Sequence, residues 1–303
     1  PNAMTQATSG GILPIERLAT ADFAACQELV VASGWNQVPA DWQLFMDRGA
    51  VFTMPDVDGT LAATAAILPF APDFGWISMV LVRQSHRRRG LATALIAHAI
   101  AQLRRQGLVP MLDATPAGRA VYLRQGFVDG WSITRWRRPA EQGPADAAAS
   151  GATTEPAADG VAVRALADHD WPWLARLDLP VFGADRQALL QCLARRSGDF
   201  ACVAERNGTP SGFLLGRGGR TATQIGPVIA DDPHSARRMI DHALARLRGA
   251  VLIDTLERHT ALREQLQGAG FSVERGYTRM ALAHPQGFGD ADRMMAIAGP
   301  ELA

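Results

Sequence analysis

The sequence predicts an α/β protein made of two copies of one fold in tandem, each a mixed central β-sheet flanked by helices. Three observations predict it. In the first half, strand-like runs alternate with stretches of helical apolar spacing. Residues 139–160, PAEQGPADAAASGATTEPAADG, hold almost no large apolar side chain and read as a linker. Text on the two sides of that linker recurs at one offset. Gly126-Phe127 returns as Gly270-Phe271, and the helix text around His98 returns around His242, both 144 positions later.

The elements of the first half follow in order. Residues 12–18 read as a strand. Thr20 or Asp22 can cap a helix reaching about Ser33, with Phe23, Cys26, Leu29 and Val30 on one face. A short helix fits 40–48, and strands fit 50–54, 61–68 and 76–82. The last contains Met79-Val80-Leu81-Val82, apolar and partly β-branched as a buried central strand requires. A long helix runs from Leu91 to about Gln106 and is ended by Gly107. A strand at 109–114, a helix near 118–125 and strands near 127–128 and 132–137 complete the half. Strands separated by a crossover helix imply that part of the sheet is parallel.

Composition bounds the function. A chain of 303 residues suits two domains at the usual ~150 each. With 48% hydrophobic and 20% charged residues, each half can bury a core. The expected division is a terminal segment 1–11, a first domain 12–138, the linker 139–160, and a second domain with its tail, 161–303. Pro1–Ala3 before Met4 read as the remnant of a tag. Thirty basic residues balance thirty acidic ones, which argues against nucleic acid as a partner. No apolar run reaches the ~20 residues of a membrane span, and no secretion signal is visible. Cys26, Cys192 and Cys202 form no C-x-x-C pair, which fits a reducing cytoplasm and gives no support for a metal. Every basic side chain apart from histidine is Arg, so no internal lysine can form a Schiff base or hold a phosphate.

The most informative segment runs from Val80 to Thr93: a buried strand ends, an Arg-rich loop follows, and Gly90 opens a long helix. Unpaired N–H groups at a helix start attract anions. Gly90 lets backbone approach a phosphate closely, and Arg87, Arg88 and Arg89 add forked donors. Neither the P-loop nor the dinucleotide glycine pattern is present.

Arg87-Arg88-Arg89-Gly90-Leu91-Ala92 resembles the [Q/R]-x-x-G-x-[G/A] signature of the GNAT superfamily of N-acetyltransferases. The segment from Asp113 to Phe127 resembles that family's later helix, with Tyr122 four residues before Gly126-Phe127. The family often has Asn where Thr115 stands. The resemblance covers residues 12–138, and it implies acetyl-CoA as co-substrate and no metal. It implies that Val80, Leu81 and Val82 pair with the pantetheine arm like an added strand. It also implies that the Val82 N–H is the oxyanion donor. The cofactor would be held by Arg87, Arg88, Arg89, Gly90, Leu91, Ala92 and Thr93, with Thr115 nearby. Tyr122 would be the general acid that protonates the departing thiolate.

An ammonium acceptor must lose a proton before attack. The sequence names no base. Asp73 before the central strand is one candidate and a water chain another; His86 and His98 are weaker, His98 reading as structural.

At the offset of 144, Arg87-Arg88-Arg89-Gly90 aligns with Asp231-Asp232-Pro233-His234, and Tyr122 with Leu266. Carboxylates repel a pyrophosphate and Pro233 removes a donor. The second copy therefore reads as a fold that has lost its cofactor site. It resembles the degenerate C-terminal domain of tandem acetyltransferases through Phe182–Arg186, Ile225-Gly226-Pro227, Ile253-Asp254 and Arg279-Met280. Its acids Asp185, Asp254 and Glu257 could receive an amine, or could serve as a helix cap and loop anchors. It could equally be a packing or homodimerisation surface.

The expected activity is acetyl transfer from acetyl-CoA to a primary amine of a small molecule, by direct attack in a ternary complex. The alternative is a CoA-binding sensor or scaffold without turnover.

Overall fold

A computed structural model describes residues 13–140 and 160–303. The expected terminal segment, 1–11, and most of the expected linker lie outside the described residues.

In the first half the elements are β1 (Glu16–Arg17), α1 (Ala24–Ala32), α2 (Pro39–Arg48), β2 (Ala50–Pro55), β3 (Leu61–Phe70) and β4 (Phe74–Val82). They continue with α3 (Leu91–Arg105), β5 (Val109–Ala114), α4 (Pro116–Arg124) and β6 (Phe127–Arg138). The second half has β7 (Val161–Ala165), α5 (Trp171–Phe182), α6 (Gln187–Ser197), β8 (Cys202–Arg206), β9 (Thr209–Gly218) and β10 (Thr223–Ala230). It ends with α7 (Pro233–Arg246), β11 (Val251–Leu256), α8 (Thr260–Gly268), β12 (Ser272–Leu282) and β13 (Met294–Ala296).

Local chemistry explains the helices that frame the site. Asp41 accepts from the Val38 N–H at 2.8 Å, and Pro39 opens α2 where a missing N–H costs nothing. In α3, Leu91, Leu95, Ile96, Ala99 and Leu103 recur at helical spacing and are buried against the sheet. The two strands expected at 127–128 and 132–137 are one strand, β6, with a register shift against β12.

The described strands join into one sheet in the order β1-β2-β3-β4-β5-β12-β6-β11-β13-β10-β9-β8-β7. β12 of the second half lies between β5 and β6 of the first, and β6 lies between β12 and β11. Each half therefore completes its sheet with a strand from the other. Ile133 faces Tyr277 across the β6–β12 ladder, and these residues are themselves 144 positions apart. An approximate two-fold axis passes at that pair.

The cores are correspondingly shared. Phe182 of α5 packs on Phe70 and Phe74 of the first half with ring centroids 4.8 and 5.3 Å apart. Asn36, between α1 and α2, accepts from the Thr221 and Ala222 N–H groups at 2.8 and 3.0 Å and donates to the Ala222 carbonyl. No described helix is long and apolar enough to cross a membrane.

Candidate active site

β4 and β5 pair in parallel only where Phe74–Trp76 face Val109–Met111, and then diverge. The gap they leave is the start of the site. On its β4 side the ladder to β3 shifts register, and Met79 adopts a φ of +52°. The Met79 carbonyl accepts from Thr64 Oγ1 of β3 at 2.9 Å. Across a trans peptide the next N–H points the opposite way, so the Val80 N–H faces the gap. Arg83 N–H is turned to β3, bonding Ala62 O at 2.8 Å, so the alternation of a strand turns the Val82 N–H to the gap too.

An outer cleft opens from the gap over the Arg-rich loop. It is lined by Trp35, Val80, Leu81, Val82, Arg87, Arg88, Gly90, Leu91, Ala92 and Thr93, among others. Arg88 and Gly90 both take left-handed backbone, φ +62° and +79°, and so turn the loop into the start of α3. A Cβ at Gly90 would meet no atom within 4 Å, so the space above it is open to a ligand. His86 holds the loop from below, between Ser85 Oγ at 2.9 Å and Asp56 Oδ2 at 2.6 Å. That bond keeps the Asp56 carboxyl below its ordinary range. Arg89, expected with its neighbours, does not line the cleft.

An inner cavity adjoins the cleft and shares Val80 and Trp35 with it. The first half contributes Gln37, Ser78, Val80, Asp113, Thr115, Tyr122 and Arg135. The second half closes it with Thr221, Leu252, Glu274, Arg275, Tyr277, Pro300 and Glu301. Tyr122 stands on α4 against Phe127, ring centroids 5.8 Å apart, and burial pushes its phenol up. Thr115 Oγ1 accepts from the Gly118 N–H at 3.2 Å, capping α4, so that hydroxyl is occupied in holding the Tyr122 helix. Tyr122 shares this cavity with Val80, whereas Val82 lies outside it on the outer wall. The amide expected as oxyanion donor is thus apart from the tyrosine, because the strand bulge sits two residues earlier.

The acids expected to receive an amine are elsewhere. Asp73 lies before β4, at the end where β4 and β5 are still paired, and the Val109 N–H bonds its carbonyl. Asp185 precedes α6 and accepts from the Gln187 N–H at 2.9 Å. Asp254 is fully buried and bidentate to Arg135 at 2.7 Å. Glu257 accepts from Thr134 Oγ1 at 3.1 Å. What sequence reading missed is Glu301, Ser78, Gln37 and Tyr277. Two carried a signal: Ser78 is polar within an apolar strand, and Glu301 is the one charged residue of 294–303.

The equivalent gap of the second half is filled. β10 and β11 pair over Thr223–Ile225 and then part, and β13 enters between them, bonding both. Loop length also differs. Eight residues, 83–90, separate β4 from α3, but only Asp231 and Asp232 separate β10 from α7. The residue-by-residue alignment of 87–90 with 231–234 therefore gives way to a deletion. Asp232 caps α7 through the His234 and Ser235 N–H groups. The shortened loop, the carboxylates and the strand in the gap leave no counterpart of the first half's cationic loop and open gap among the described residues of the second half.

Chemically, the outer cleft offers N–H donors and arginines to a polyanion. The inner cavity offers two phenols, Tyr122 and Tyr277, one inward amide and buried carboxylates. No described group of His, Cys, Asp or Glu has the arrangement of a metal site.

Comparison with known proteins matches each half separately. The acetyltransferase (GNAT) family matches residues 20–127, and an acetyltransferase (GNAT) domain matches residues 174–294. The uncharacterized N-acetyltransferase YitH of Bacillus subtilis (strain 168) is 27% identical over 244 residues, covering 79% of this chain and 80% of that protein. A candidate acetyltransferase from Pyrococcus horikoshii has the same fold at a TM-score of 0.73, with 18% identity over 99% of both chains. A tandem GNAT protein from the clavulanic acid biosynthesis pathway superposes at 0.58 with 15% identity, over 90% of this chain and 99% of that one.

Proposed function

Because this chain belongs to the GNAT acetyltransferase family, with two domains of that family in tandem, we propose that it transfers an acetyl group from acetyl-CoA to a primary amine of a small molecule. Acetyl-CoA supplies the thioester. The chain supplies binding, a polarising donor and a proton.

The carrying observation is that the outer cleft and the inner cavity are neighbours, with Trp35 and Val80 in the walls of both. A long molecule with an anionic end and a reactive end fits that path. Backbone N–H groups of the loop from Arg87 to Thr93 receive the pyrophosphate, with Arg87 and Arg88 adding charge. Val80 and Val82 pair with the pantetheine amides as an edge strand would. The Val80 N–H, rather than that of Val82, donates to the thioester oxygen as negative charge develops there. Tyr122 gives its proton to the leaving sulfur, and burial keeps that proton on the phenol at neutral pH. The second half covers the acceptor end, which favours a small acceptor over a folded protein, and both substrates are bound together when the amine attacks.

The test is calorimetric titration with acetyl-CoA, followed by thiol release across a panel of benzylamine, ethanolamine, spermidine and glycinamide. One site per chain is expected, weakened at least about tenfold in Gly90→Val, where a side chain would enter the open space at positive φ. Two sites would overturn the degenerate second half. One site with no turnover of any amine would favour a CoA-binding sensor.

A further inference from the structure

Three residues that line the inner cavity each carry a buried side-chain oxygen with no partner among the described residues: Gln37 Oε1, Ser78 Oγ and Glu301 Oε2. Their residues are 5%, 8% and 4% exposed, so bulk water does not satisfy them. Buried polar oxygens are costly to leave unpaired, and three in one cavity is a pattern that a ligand relieves. They come from three places in the chain: the loop between α1 and α2, strand β4, and the segment after β13. All three can accept a hydrogen bond, and a primary ammonium has three N–H donors.

Glu301 is the one carboxylate of the three, and it is held in place. Arg217 of β9 bonds its other oxygen, Oε1, and also donates to the Ala298 carbonyl at 2.6 Å. Arg217 lies 3.2 Å from Asp41, which also takes Arg196 at 2.8 Å. The segment carrying Glu301 is fixed to the first half, where Trp76 Nε1 of β4 donates to Pro300 O at 2.9 Å. Asp113, Arg135 and Tyr277 also act electrostatically on this carboxylate, from β5, β6 and β12. Asp113 and Arg135 are neutralised by Arg279 and Asp254. That leaves Oε2 of Glu301 as the carboxylate oxygen without a partner among the described residues.

We propose that Glu301 is the general base of the acetyl transfer, and that it, Ser78 and Gln37 form the seat of the acceptor ammonium. This rests on the acetyltransferase reading above. Glu301 takes one proton from the ammonium, leaving a neutral amine whose lone pair forms the N–C bond. The C–S bond breaks, and its electron pair leaves on sulfur. Tyr122 supplies the proton for that sulfur and is reprotonated by the second proton lost from nitrogen. Glu301 returns its proton to solvent, so the step releases one proton for each amide made.

The test is Glu301→Gln, which keeps an oxygen for Arg217, assayed on the fastest amine of the panel from pH 6.5 to 10. Expected is a loss of kcat/KM of about 100-fold at pH 7. The deficit should shrink as pH approaches the amine's own pKa near ~10, where the base is no longer needed. Acetyl-CoA stoichiometry should be unchanged. A deficit constant with pH, or one below about threefold, would overturn the role of base while leaving the acetyltransferase reading intact. Ser78→Ala tests the seat independently: acceptor KM should rise about fivefold or more with kcat nearly kept, and an unchanged KM would overturn it. No turnover of any amine by the wild-type protein would remove the reading and this role together.

Discussion

Arg279 of β12 faces Asp113 of β5 directly, with its guanidinium 3.0 Å from both carboxylate oxygens. The same relationship recurs between Arg135 of β6 and Asp254 of β11. In each pair the arginine comes from the strand that one half lends to the other. Arg279 is further enclosed by Trp76 and Trp131, whose ring centroids lie 4.6 and 4.8 Å away. Burial pushes the Asp113 carboxyl up, and Arg279 opposes that push. Arg279→Leu should therefore destabilise the protein by about 3–5 kcal/mol, since it leaves a buried carboxylate unpaired. The double variant Arg279→Leu/Asp113→Leu should recover most of that loss. Denaturant midpoints of the two variants decide it, and a single-variant cost below ~1 kcal/mol would mean the pair does not tie the halves.

The strand in the second gap should depend on Gly226. A Cβ there would lie 2.0 Å from the Ile297 carbonyl oxygen, and the residue has φ +141°. Gly226→Ala should displace the segment after β13, and hydrogen exchange at 294–298 should speed up by at least about tenfold. Glu301 follows the same segment, so turnover should fall with it. Unchanged exchange would show that the backbone yields locally.

Tyr122→Phe removes the proposed acid without changing ring packing on Phe127. We expect kcat about 100-fold lower with acetyl-CoA affinity kept. Because burial raises the phenol, the wild-type protein should keep this acid protonated to beyond its ordinary pKa near ~10. A variant that turns over at the wild-type rate would assign the proton to water instead.

His242 of α7 is buried, and neither ring nitrogen has a partner among the described residues. Burial, and then the charge of Arg246, lower its pKa to about 4. The unfolded chain binds this proton near pH ~6.5 and the folded one only near 4. The stability tied to a neutral His242 is thus present above about 6.5 and lost as pH falls toward 4. Tm measured at pH 7 and pH 4.5 should drop less in His242→Leu than in the wild-type protein. Equal drops would place the acid sensitivity in the carboxylates alone.

Much of this molecule is a local matter, and that part was legible in the sequence. The repeated strand and helix patterns, the arginine loop at a strand-to-helix junction, its loss in the second copy and the position of Tyr122 all follow from short-range chemistry. Side-chain period sets the element, and unpaired N–H groups at a helix start make an anion site wherever the loop is cationic. Partner choice between distant strands is not local. β6 and β12 are equivalent strands of equivalent halves, so their patterns suit either edge equally, and only the assembled sheet decides that each crosses to the other half. The entry of β13 into one gap and not the other depends on a close passage at Gly226 that no spacing announces. The same holds for Glu301, which lines one cavity with Ser78 although more than two hundred residues of chain separate them. The sequence by itself determined which half keeps a cationic loop and a tyrosine four residues before its Gly-Phe pair. The tertiary structure alone decided which residues share a cavity, because burial and long-range pairing are properties of the packed sheet and not of any segment in it.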